Sequence, residues 1–177
     1  MAKQKQPVKS QATVTPQREV DKLFAQYEAA NTHPVNKIFQ YIFVPLFSFG
    51  LFALVWSLPF PHINFLGKYN GYINWASFLL AIVIYLYYRL SPVLSYFILF
   101  TLFGFSYLII KLEQLQKAGG PALWQVSLIV FIVGLLGYFA ATMSEENKAS
   151  LTQKLKNLFI APLYFWHLLW RKVSVKY

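Results

Sequence analysis

Four long apolar stretches, none with a charge at its centre, constrain this chain more than any other feature. They run over about 38–58, 73–90, 93–110 and 122–141. A helix rises 1.5 Å per residue, so about 20 residues cross a hydrocarbon core of about 30 Å. Only 12% of the 177 residues are charged and 57% are hydrophobic, whereas a soluble domain carries about 25% charge. The sequence therefore predicts an all-α integral membrane protein with four transmembrane helices. The uncharged span centres argue against an ion pathway.

The punctuation agrees with that division. Pro45 falls inside the first stretch and predicts a kink or break, while Pro59 and Pro61 end it. Ser91 and Pro92 leave room only for a tight turn between the second and third stretches. Trp75 near one end of the second, and Tyr85, Tyr87 and Tyr88 near the other, suit the two membrane interfaces. Upstream, Thr15 and Pro16 read as N-cap and first helical residue. Val20, Leu23, Phe24 and Tyr27 then form one apolar stripe, so 16–30 is expected to be an N-terminal amphipathic helix. Downstream, the apolar run 158–170 is too short to span and contains Pro162. It predicts a short interfacial or re-entrant helix over 151–170. The whole reads as a basic tail over 1–15, one membrane domain over 16–172 and a tail over 173–177.

Charge sets the expected topology. Residues 1–37 carry six Lys or Arg and residues 143–177 six more, whereas Lys68, Lys111, Lys117 and Arg89 are the others. With four spans both termini share a side, and basic flanks favour the cytoplasm or its equivalent. Endoplasmic reticulum, mitochondrial inner and bacterial inner membranes all fit. A net charge of +10 would suggest nucleic acid in a soluble chain. Here the basic groups flank apolar segments, so membrane lipids are the expected partners and nucleic acid is not. The first eighteen residues lack the apolar core of a secretory signal.

Little in the chain looks catalytic. It has no cysteine, which excludes thiolate metal sites and disulfides. His33, His62 and His167 are not spaced to share a metal. His33, before Pro34, suits a helix cap, His62 a solvated loop, and His167 an aromatic interface. Glu145 and Glu146 are adjacent, so on a helix they point apart, and a solvated helix end is expected. No phosphate loop or nucleophile elbow is present.

One segment does carry a family pattern. The stretch QYEAANTHPVNKIFQYIFVPL, residues 26–46, keeps Gln26, Tyr27, Asn36, Lys37, Pro45 and Leu46 at fixed spacing. WSLPFP follows at 56–61, and YFAATMSE at 138–145 precedes LFIAPLYFWHLLW, with Phe139, Glu145 and Pro162 in register. These motifs resemble the membrane family of iron-dependent 2-hydroxy fatty acid dioxygenases of fatty-acid alpha-oxidation, which includes phytosphingosine breakdown. The resemblance covers about 23–172. It implies that Asn31, Asn36, Gln40, Thr142 and Glu145 converge at the membrane face on the side of the tails. Asn31, Gln40 and Thr142 stand where the family carries histidines. Imidazole suits Fe(II), whereas neutral amide and hydroxyl oxygens bind it more weakly. His33 is two residues from Asn31, a rotation of about 200°, and faces elsewhere.

The resulting expectation is a non-catalytic, dioxygenase-like membrane protein, without metal or other cofactor. It would serve as a structural or accessory subunit beside other membrane proteins and could bind lipid. The alternative is an active dioxygenase that uses Fe(II) in a divergent site.

Overall fold

The computed structural model describes residues 18–65, 67, 73–146 and 149–172, and among these there is no strand. Six helices follow in order: α1 (Glu19–Ala30), α2 (Pro34–Ser57), α3 (Trp75–Leu90), α4 (Pro92–Lys117), α5 (Leu123–Thr142) and α6 (Leu151–Lys172). Three of them, α2, α4 and α5, are long and apolar enough to cross a membrane. The fourth expected span, α3, is apolar but has 16 residues, about 24 Å against a core of about 30 Å. The predicted tails, the Thr15 cap and the Lys68 loop lie outside the described residues.

Local chemistry explains the helix starts. Asn74 caps α3: its Oδ1 accepts from the Ser77 N–H at 3.1 Å, and Ser77 Oγ accepts in return from the Asn74 N–H at 3.3 Å. That reciprocal pair satisfies two N–H groups the helix leaves open. Ser91 ends α3 and caps α4, with Pro92 at the first helical position. A one-residue joint of this kind leaves α3 and α4 as antiparallel neighbours. Helix α2 runs through Pro45 without a break, although the ring removes one helical N–H.

The central unit is the α2–α5 pair. A Cβ on Gly50 would lie 2.4 Å from the Phe131 backbone nitrogen, and one on Gly134 would lie 2.3 Å from that of Phe47. Backbone therefore meets backbone at both glycines, the close approach that small residues permit between membrane helices. Gly50 opposes Phe131 and Phe47 opposes Gly134, so the helices run antiparallel. The start of α2 thus lies beside the end of α5.

The other helices complete the bundle around this pair. α1 buries Val20, Phe24 and Tyr27, and Phe24 and Tyr27 both pack on Tyr164 of α6. α6 has 22 residues and carries the polar turns before the apolar run in the same helix. It is anchored by hydrogen bonds from Tyr87 of α3 to the Phe159 carbonyl (2.6 Å), from Tyr138 of α5 to the Lys154 carbonyl (2.7 Å), and from its own Trp166 to Thr101 of α4 (3.2 Å). These anchors place α6 at the end of the bundle where α2 begins. Large apolar side chains such as Ile82, Phe100, Ile129 and Leu136 face outward from α3, α4 and α5. Outward apolar faces of this extent suit lipid, not water. The chain is a membrane protein.

Candidate functional site: a buried amide and carboxylate network

The network lies where α1 ends, α2 begins and α5 ends. Asn31 closes α1, Asn36 and Gln40 stand one turn apart on α2, and Glu145 follows α5. All four are buried, with exposures of 2%, 0%, 1% and 7%. The expectation of a solvated end at Glu145 is therefore wrong, while its neighbour Glu146 is exposed. The antiparallel register causes the difference: it brings the end of α5 against the first turn of α2.

The Glu145 carboxylate holds the start of α2. Oε1 accepts from the His33 N–H at 3.0 Å and from Asn36 Nδ2 at 2.6 Å. Oε2 accepts from the Thr32 N–H at 3.1 Å and the Thr32 hydroxyl at 2.9 Å. A carboxylate beside open N–H groups and the positive end of a helix dipole is favourably placed. Burial pushes this carboxyl up, but the hydrogen bonds from Asn36, Thr32 and His33 push it down further, to below its ordinary value. His33 contributes as a cap: its Nδ1 accepts from the Val35 N–H at 3.3 Å.

Two fixed acceptors dictate which way every amide points. Glu145 only accepts, so Asn36 must turn its NH2 toward it. The Tyr27 carbonyl only accepts, so Asn31 must turn its NH2 there, at 2.8 Å. The oxygens of both asparagines then receive the Gln40 NH2, which is 2.8 Å from Asn36 Oδ1. The second Asn36 N–H reaches Asn31 Oδ1 at 2.9 Å. This leaves Gln40 Oε1 to accept from the Tyr27 hydroxyl. Burial pushes that hydroxyl well above the ordinary tyrosine range, so it stays protonated and donates. Each amide oxygen has a donor and each amide nitrogen an acceptor, as buried polar groups require.

Thr142 does not join the network through a hydrogen bond. It is the last residue of α5, and its hydroxyl donates to the Phe139 carbonyl at 2.7 Å, satisfying an open carbonyl of its own last turn. Conversely, the Tyr27 hydroxyl and Thr32 belong to the network and were not anticipated there. Thr32 had a local signal, a hydroxyl residue just before a proline-led helix start. The other two histidines stand apart: His167 stacks on Phe24 at 4.5 Å, and His62 is exposed in the loop after α2.

The donor set does not fit Fe(II). Three neutral amides and one carboxylate meet here, and their oxygens already accept from one another, from the backbone or from the Tyr27 and Thr32 hydroxyls. Among the described residues no three His, Cys, Asp or Glu side chains gather as metal ligands. Known protein families, curated proteins and solved structures give no match to this chain.

Proposed function

We propose that this chain is a non-catalytic, dioxygenase-like membrane protein that acts as a structural or accessory subunit of a larger membrane assembly. The observation that carries this reading is the closed network of Asn31, Asn36, Gln40 and Glu145. A dioxygenase of the resembled type needs open ligand positions at this place. Here Asn31, Asn36, Gln40 and Glu145 bind α1, α2 and the end of α5 to each other, which is work for a scaffold.

The topology belongs to the same reading. α3 ends at the joint at Ser91 and lies antiparallel along α4, so it runs through the depth that α4 crosses. Its 16 residues, with a few flanking ones, would span a locally thinned bilayer at modest cost. Four crossings return both termini to one side, the side with most Lys and Arg.

The test is to purify the full chain under reducing conditions, add Fe(II) and 2-hydroxy fatty acid, and measure retained iron and substrate consumed. The expected result is neither, with the chain co-purifying in fixed ratio with other membrane proteins in mild detergent. Stoichiometric iron with iron-dependent consumption would overturn this reading and establish the divergent enzyme.

A further inference from the structure

Two cavities, one apolar and one of mixed lining, share Phe165 of α6 as a lining residue. The first, about 320 Å³, lies between α2, α3, α4 and α6 and is lined almost wholly by apolar groups such as Val83, Leu102 and Phe159. Of the hydroxyls on its wall, Thr101 donates to the Phe97 carbonyl at 2.8 Å and accepts from Trp166, and Tyr87 donates to the Phe159 carbonyl, which leaves Ser48, among the described residues, as the one polar group to meet a guest. A water there would lack the two to four partners it needs, and an empty chamber would forgo dispersion contacts along its lining. In a bilayer the surrounding apolar material is acyl chain.

The second cavity, about 450 Å³, opens between the end of α1, the start of α2 and the last turns of α6. Lys37, Arg171 and Lys172 line it, with the Tyr41 and Tyr164 rings beside them. Glu28 opposes them. Its carboxylate accepts from the Tyr164 hydroxyl at 2.8 Å and from Arg171 at 3.3 Å. One acid against three cations leaves the cavity net positive, and a guanidinium with five donors retains others after one contact. Lys37 stands in the first turn of α2, at the edge of its apolar stretch, so the cavity lies near headgroup depth.

We propose that the two cavities form one site for an anionic phospholipid. The phosphate sits among Lys37, Arg171 and Lys172, and one acyl chain passes Phe165 into the apolar chamber. Arg and Lys in a concave, partly desolvated setting are suited to phosphate oxygens, and basic pockets between helices on the positive side recognise anionic headgroups. The chain completes the recognition, because a free phosphate would leave the chamber unfilled. This site goes beyond the accessory-subunit reading and does not depend on it, since no step of it requires or excludes metal chemistry.

The test is native mass spectrometry of the delipidated full chain in mild detergent. Three probes are added separately: dioleoyl phosphatidylglycerol, dioleoyl phosphatidylcholine with the same chains, and inorganic phosphate. The expected result is retention of one phosphatidylglycerol, in clear preference to phosphatidylcholine, with phosphate failing to displace it. Lys37→Gln with Lys172→Gln, both at exposed positions, should weaken retention about ten-fold or more while leaving thermal unfolding unchanged. Ser48→Phe, which fills the chamber, should weaken retention of both phospholipids, and its fold is checked by the same melt. Equal retention of the two lipids, indifference to the lysine pair, or indifference to Ser48→Phe would each overturn the site. Displacement by phosphate would reduce it to an anion site without a chain, which also overturns the proposal.

Discussion

Helix α2 meets α5 on one side and α3, α4 and α6 on the other, and the two sides close very differently. Toward α5 the backbones touch at Gly50 and Gly134, and the seam ends in the Asn31–Asn36–Gln40–Glu145 network. Toward α3, α4 and α6 the side chains leave a chamber of about 320 Å³. The contrast separates two tasks within one helix. The seam is specified by shape and hydrogen bonds, which admit one register. The chamber is specified only by apolar character, which tolerates rearrangement and accepts a flexible guest. Substitutions on the two sides should therefore differ in size of effect.

The largest effect is expected at the seam. Gly134→Leu places a side chain where a Cβ alone would lie 2.3 Å from the Phe47 backbone nitrogen. Backbone cannot rotate aside as a side chain can, so α2 and α5 must separate. A loss on the order of 3 kcal/mol or more is expected, read as loss of the folded fraction in detergent. A stable, folded Gly134→Leu protein would show the seam to be looser than described.

Next is the network. Asn36→Leu removes donors to Glu145 and Asn31 and the acceptor for Gln40 at one stroke. Leaving a buried carboxylate and amides short of partners should cost about 2–4 kcal/mol in thermal or denaturant unfolding. A cost below 1 kcal/mol would mean that water reaches these groups easily.

A pH effect should follow from Glu145. Its folded value lies below the ordinary 4.5, so between the two the unfolded chain binds more protons. Stability from this group is present above about 4.5 and falls as pH drops through the folded value. The melting temperatures of wild type and Glu145→Gln should converge on acidification, and a gap that does not narrow would contradict the assignment.

The smallest effect is expected in the chamber. Val83→Ile adds one methylene to a wall with free space and should shift stability by less than about 1 kcal/mol, in the stabilising direction if packing improves. A large loss would show that the chamber is as tightly specified as the seam.

Much of this architecture was legible in the sequence because it is local. The all-helical character, the three apolar helices long enough to cross a membrane and the Ser91–Pro92 joint each follow from neighbouring residues, and so does the His33 cap. What was hidden depends on pairing across more than a hundred positions. From its neighbours alone Glu145 looks like a solvent-facing acid beside Glu146, and only the family resemblance sets it with Asn36; the antiparallel register is what brings it to Thr32 and Asn36. Thr142 looks like a network member from the family resemblance, but a hydroxyl at a helix end has a carbonyl of its own turn within reach. Gly50 and Gly134 carry no local signal of contact, since their role exists only once the two helices meet. The length of α3 is a boundary effect, because the Asn74 cap fixes where the helix begins.

Asn36 and Glu145 belong to a structural fastening between α2 and the end of α5. A double-mutant cycle in unfolding free energy tests it most directly, using Asn36→Leu, Glu145→Leu and the double variant. The expected coupling is about 1.5–3 kcal/mol, with the double variant less damaged than the sum of the singles, because removing both partners leaves neither buried group stranded. Additive single effects, each small, would contradict it.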